Sequence, residues 1–306
     1  MNRIVEKDNL NDNELDLIKL FSILWNGKFK IIVITLIAAF LSIFIAITIP
    51  NLYTSSATLA PSTTNDNLSS KLSQYSSIAG FAGVNLPVSN ATPAQEAIKR
   101  MKTYEFFSKY FLPNINIYNL YAVDEWISDN DTIIYNDEVD ADNQSTKITS
   151  SNEIPSDQAL FLIYKTIINI SVDQKTQFVT LSVEHKSPNV AKKWVNIIIK
   201  NINSSMRFED NKIASDSVDY LTEYSKSTNI QSLQDSISNL LENQMQTLMI
   251  TSSIENYIFK TLDPPIAPEE RSSPNRALIC IFGTLLGGMM SVLYVLISFF
   301  IIKKRV

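Results

Sequence analysis

Two long apolar runs, one near each end of the chain, constrain everything that lies between them. The first, Ile31 to Ile49, contains no charged residue. At about 1.5 Å of rise per residue it is just long enough, as a helix, to cross a bilayer core. The second, Ala277 to Ile302, is longer and can span with tilt. No run of similar length and apolarity lies between them. The chain is therefore expected to cross a membrane twice, with both tails in one compartment and residues 50–276 in the other.

Lysine and arginine orient the pair. Arg3, Lys7, Lys19, Lys28 and Lys30 precede the first run, the next basic residue is Lys71, and Lys303, Lys304 and Arg305 close the second run. Basic residues gather on the cytoplasmic side, so 1–30 and 303–306 read as cytoplasmic and 31–49 and 277–302 as spans. Arg271 and Arg276 oppose this but are outnumbered. A cleaved signal peptide competes for the first run, yet the run exceeds the usual ~7–15 apolar residues. The following Ile49-Pro50-Asn51-Leu52-Tyr53 is no small-residue cleavage site. Upstream, Leu15, Ile18, Phe21, Ile23, Leu24 and Trp25 recur at roughly helical spacing, which predicts an amphipathic helix at the inner membrane surface.

The small set of reactive residues argues against chemistry in the central region. The net charge of −5 comes without a basic stripe, which disfavours nucleic acid as a partner. The single cysteine, Cys280, lies in the second span and can form no internal disulfide. The single histidine, His185, reads as an exposed polar residue, because a metal site or general base needs partners its surroundings do not supply. Carboxylate pairs such as Asp137/Glu138 and Asp140/Asp142 fall in the acidic stretch Asp124 to Asp157, whose one basic residue is Lys147. Read as a solvated loop, that stretch cannot hold two carboxylates at glycosidase separations. It also lacks the glycine and spacing of an EF-hand. No catalytic, cofactor-binding or metal-binding residue is assigned.

Periodicity supplies the architecture. Tyr53 to Leu59 has strand composition closed by Pro61, and 62–90 reads as a loop with a short helix around Leu68 to Ile78. Thr92 caps a helix opened by Pro93, with Glu96 in reach of the cap. A further helix is expected over Asp157 to Ile168. A hairpin follows over Ile168 to Lys186, turning at Asp173-Gln-Lys-Thr176. Pro188 then opens a long helix carrying Val190, Trp194, Val195, Ile198 and Ile202. The pattern weakens at Ser225 to Ser232 and resumes with Leu233, Ile237, Leu240, Met245 and Leu248, a stripe that must pack within one protomer or against a neighbour. The two legs, about 188–254, make either a bent rod or a hairpin, and Asn256 to Leu262 reads as a strand returning to the sheet. The expected fold is α+β, an α/β base with a long helical arm between two terminal spans. In the spans, Gly283, Gly287 and Gly288 would let the backbone approach a stripe of Ala38, Ser42 and Ala46.

In this order and placement the chain resembles the Wzz family of polysaccharide chain length determinants. The resemblance runs through Glu14-Leu-Asp-Leu17, Leu24-Trp25, Thr176 to Pro188, Ala191 to Asn203, Ala214 to Leu221, Tyr257 to Pro268, and Pro274-Asn-Arg276 leading into Gly283 to Gly288. The family usually has glycine after the turn threonine, where this sequence has Gln177. The resemblance implies a non-enzymatic co-polymerase of the bacterial inner membrane. It implies a periplasmic base with an outward helical arm, assembly into a homo-oligomeric ring, and action with a Wzy-type polymerase on a growing lipid-linked polysaccharide such as O-antigen. Relatives with a fused kinase do not match, as there is no Gly-x-x-x-x-Gly-Lys-Ser/Thr loop. The alternative is a two-span sensor or adaptor. A sensor needs an output module, and neither the thirty-residue head nor the four-residue tail is expected to fold into one.

Overall fold

The computed structural model describes residues 24–62, 92–136, 139–140, 145–146, 154–227 and 230–303. The loop helix expected at 68–78, and nearly all of the inner-surface helix expected ahead of the first span, lie outside them. There are two compact units, one built from the terminal apolar helices and the other from Leu52–Ser272.

In the first unit, helix α1 covers Lys28–Thr48 and helix α8 Arg276–Lys303. Each is long and apolar enough to cross a membrane. Helix α1 stops because Pro50 pushes the residue before it out of the helical region, and Ile49 is extended at φ −75°, ψ 127°. The two helices pack along each other.

The base of the second unit is a four-stranded antiparallel sheet in the order β6-β7-β1-β8. Its strands are β1 (Tyr53–Pro61), β6 (Ile168–Val172), β7 (Val179–His185) and β8 (Phe259–Asp263). Alternation decides which face is covered. Val179, Leu181, Val183 and His185 point to one side of β7 and are buried, as are Ser55, Ala57 and Leu59 of β1. The register sets Leu59 opposite Val179 and Ala57 opposite Leu181, so each cross-strand pair adds to one apolar surface.

Helices cover that surface. Helix α2 (Pro93–Met101) begins with a capping box in which Thr92 Oγ1 accepts from the Gln95 amide and Gln95 Oε1 accepts from the Thr92 amide. The reciprocal partner is thus Gln95 and not Glu96, which the sequence reading favoured; Glu96 turns to Arg100 instead. Helix α3 (Tyr104–Phe106) runs on through a π turn (Phe107–Phe111) and a 3-10 turn (Leu112–Asn114) to α4 (Ile117–Tyr121). Phe107 and Phe111 are buried there against Tyr164 of α5 (Asp157–Ile167), Phe111 also meets Trp194, and the buried Phe106 packs on Tyr110. The Tyr164 hydroxyl donates to the Met101 carbonyl at 2.7 Å, which is how a phenol is accommodated in a fully buried aromatic cluster.

Part of the acidic stretch folds, contrary to its reading as a solvated loop. Strands β2 (Val123–Ile127) and β3 (Thr132–Tyr135) pair antiparallel, and 139–140 (β4) pairs with 145–146 (β5). The turn between β2 and β3 is held by Trp126 Nε1–H donating to Asp131 Oδ1 at 2.8 Å, with Asp131 at φ 51°. Trp126 also meets Tyr53 edge-on, with ring centres 5.2 Å apart. Abundant Asp and Asn hid the strands, although the same residue types are those that tolerate a left-handed turn position.

The arm is a helical hairpin, which decides between the two geometries left open. Helix α6 (Pro188–Ser227) is forty residues long, and α7 (Gln231–Ser253) packs back along its outer half. The inner half of α6 lies on the sheet through Trp194, Val195, Ile198 and Ile202. Asn203 fastens it there. Its amide donates to the Ile199 and Phe259 carbonyls, and its Oδ1 accepts from the Ile258 and Phe259 amides at 2.8 and 2.9 Å. Three of these four bonds join α6 to the start of β8, and the fourth stays within α6. The returning strand begins at Phe259, later than the expected Asn256.

Candidate functional site: the paired spans and the helical arm

Small residues set the seam between the spans. A Cβ placed on Gly283 would overlap Ser42 Cβ, and one on Gly287 would overlap Ala38 Cβ, so glycine is required at both for this spacing. Gly288 is different, since a Cβ there would meet the Thr35 side chain at an ordinary 3.9 Å. Ala46 is buried along the same seam. Polar atoms inside it are satisfied internally. Ser42 Oγ donates to the Ala39 carbonyl, Ser291 Oγ donates to the Gly288 carbonyl, and the Ser291 and Thr35 hydroxyls approach to 3.4 Å. Thr35 and Ser291 carried no signal that would single them out among other hydroxyl residues of the runs.

The arm's stripe divides in two. Ile237 is buried against α6, and Leu233 and Leu248 are half-buried, whereas Leu240 and Met245 are 39% and 52% exposed. Met245 leaves the line because eight residues beyond Ile237 amount to about 800° of helical rotation, some 80° off the starting direction. Besides Ile237, the buried residues between the helices are small or polar: Ala214, Asn243, Thr247 and Thr251. Asn211 donates to Thr251 Oγ1 at 2.8 Å. Polar periodicity of this kind is not picked up by a search for apolar residues.

The root of the arm carries a charged network that sequence spacing does not show, because its members come from three separate segments. Arg100 of α2 pairs with Glu96 at 2.9 Å and with Glu209 of α6. The hydrogen bond to Glu209 is the main reason its guanidinium is held further above its ordinary value. Next to it, Tyr257 donates to Asp210 Oδ2 at 2.7 Å. Burial raises the Asp210 carboxyl above the usual range, against the hydrogen bond from Tyr257, and burial together with Asp210 raises the Tyr257 phenol. Arg207 donates to the Ile254 carbonyl at the end of α7. These bonds lock the arm to the base.

His185 is buried at 7% exposure, which corrects the expectation of an exposed polar residue. It occupies the last inward position of β7, edge-on to Trp194 with ring centres 4.8 Å apart. Strand alternation places it inward, as it does Val183. Among the described residues no three His, Cys, Asp or Glu side chains are grouped so as to hold a metal ion.

Comparison with known proteins gives a family and a set of structures. Residues 13–111 match the model of the Wzz family, described as "Chain length determinant protein". No curated protein matches. Among solved structures, a full-length bacterial polysaccharide co-polymerase is 16% identical, with 94% of this chain and 99% of that chain covered and a TM-score of 0.40. A fragment of WzzB, a polysaccharide co-polymerase from Salmonella Typhimurium, is 14% identical, covering 73% of this chain and 100% of that one at a TM-score of 0.30.

Proposed function

We propose, for a chain that carries a Wzz chain length determinant domain over residues 13–111, that it regulates the length of a surface polysaccharide as a non-catalytic co-polymerase. The match itself carries this reading, since it runs from ahead of the first apolar helix through the first strand of the base and into α2 and α3. The protein sits in the bacterial inner membrane through α1 and α8. Segments 1–30 and 303–306 are cytoplasmic, and the base and arm, within 50–276, are periplasmic. Its partners are further copies of itself, a Wzy-type polymerase and the growing lipid-linked polysaccharide, with O-antigen the expected product. The distribution of Lys and Arg supports the orientation. The half-exposed residues of the arm, Leu240 and Met245 among them, support contact with neighbouring copies.

The test is deletion and complementation, read by banding of the surface polysaccharide on a gel. Regulated length gives a cluster of bands that disappears without the protein and returns with it. Unchanged banding would instead favour a sensor.

A further inference from the structure

At the root of the arm two clefts, of about 670 and 480 Å3, share Lys109, Tyr110 and Phe208 and form one continuous surface between the α3 segment, α6 and the end of α7. Phe208 stands in it 67% exposed, on the same helix as the buried core residues Ile202 and Met206. An aromatic ring held open to solvent in a concave site, with Tyr110 beside it, is an apolar platform with hydrogen-bonding groups around it. Those groups are Ser204, Arg207 and Asn211 on one side and Lys109 and Lys212 on the other. Arg207 is fixed by its bond to the Ile254 carbonyl and Asn211 by its bond to Thr251, so both are oriented in advance.

Charge decides what fits. The chain is −5 overall, yet the two clefts are lined by five cationic and three anionic side chains. Two of the carboxylates, Glu96 and Glu209, are taken by Arg100. Among the described residues Lys109, Arg207 and Lys212 make no ion pair. Apolar interface cores are depleted in lysine, so a lysine-lined cleft around Phe208 and Tyr110 is poorly suited to a second protein. Sugar rings offer an apolar C–H face and a rim of hydroxyls, and acidic sugars add a carboxylate.

We propose that this cleft binds a segment of an acidic saccharide chain, one ring face lying on Phe208 and the carboxylates and hydroxyls held by Lys109, Arg207, Asn211 and Lys212. This rests on the polysaccharide reading above and adds where the polymer touches the protein. The probe is the host cell's own surface polysaccharide, released from lipid by mild acid and cut to short oligosaccharides. It is titrated by calorimetry into the full chain purified in detergent. Phe208→Ala and Lys212→Glu should each weaken binding by about tenfold or more, Leu162→Ala, at an exposed position of α5, should leave it unchanged, and added salt should weaken the wild type. Light scattering on each variant checks that folding and assembly are intact. Absence of binding to the wild type, equal binding by Phe208→Ala and Lys212→Glu, or loss of assembly in Phe208→Ala would each overturn the proposal, the last by showing that the cleft is an interface between copies. Because banding in the deleted cells is read without this cleft, its loss alongside failed binding would sink the cleft alone.

Discussion

His185 Nε2–H donates to the carbonyl oxygen of Asn119 at 2.8 Å, joining the end of β7 to α4 across 66 residues of sequence. Its other nitrogen accepts from the Ser187 amide at 2.8 Å. A neutral ring satisfies both. A protonated ring would lose the Ser187 amide as its donor and keep only the Ser187 carbonyl, 3.3 Å from the same nitrogen, as acceptor for its second N–H.

Burial, with Lys186 adding slightly, holds His185 below its ordinary value of 6.5, against the backbone hydrogen bonds to Asn119 and Ser187. A depressed histidine contributes stability that is fully present above 6.5 and is lost as pH falls through the folded value. Thermal melts of the wild type should therefore shift downward as pH falls below 6.5. His185→Gln should lose that part of the slope and cost about 1–3 kcal/mol near neutrality. An unchanged slope would contradict the buried neutral ring.

Asp210 shifts the other way. Its carboxyl is raised, mainly by burial, and the Tyr257 hydroxyl, Glu96, Glu209 and Arg100 all act on it. A raised carboxyl favours folding most at low pH, and that contribution fades as pH rises from 3.8 through the folded value. Asp210→Asn should remove this trend while its side-chain oxygen still accepts from Tyr257. Subtracting the variant's stability curve from the wild type's should give a difference that falls with rising pH in that window and then levels.

The left-handed position in the β6–β7 turn belongs to Gln177, at φ 58°. Asp173 organises the turn, its Oδ1 accepting from the Lys175 and Thr176 amides. A side chain at positive φ is penalised by about 1 kcal/mol relative to glycine. Gln177→Gly should therefore raise stability by a few tenths to about 1 kcal/mol in denaturant titration, the unfolded glycine's extra freedom offsetting part of the gain. A loss of stability would contradict the turn geometry.

How much of this was readable beforehand depended on what each signal is made of. The β6–β7 hairpin, α5 and α6 follow apolar periodicity and were placed nearly to the residue, because burial on one face is what sets that pattern. The β2–β3 hairpin was missed because Asp124, Glu125, Asp129 and Asp131 dominate its composition. Gly283 and Gly287 could be matched to Ala38 and Ser42 from residue size alone. The root of the arm could not be found that way, since Arg100, Glu209, Asp210 and Tyr257 meet only after the sheet and α6 have formed.

Ile237 and Leu240 separate packing within a protomer from packing between copies. Ile237 is 3% exposed against α6, so Ile237→Asp buries an unpaired charge and should cost about 3 kcal/mol or more. Leu240→Asp should change protomer stability by no more than about 1 kcal/mol. If that half-exposed side chain contacts a neighbouring copy, Leu240→Asp will instead alter assembly and the polysaccharide banding. Equal destabilisation by both substitutions would contradict the arm as described.

Gly283→Leu and Gly287→Leu force the two spans apart where no space exists for a side chain. Both variants should still insert, since leucine is favoured in a span, and the polysaccharide should be made at normal quantity with altered length. Gly288→Ala should be nearly silent by comparison.

The proposed role, setting length without chemistry, is tested by measuring total surface polysaccharide and its length distribution in the same deleted cells. Total sugar per cell should stay close to that of the parent while the favoured length is lost and short and irregular chains take over. Complete loss of polymer, with the polymerase still present in the membrane, would contradict it.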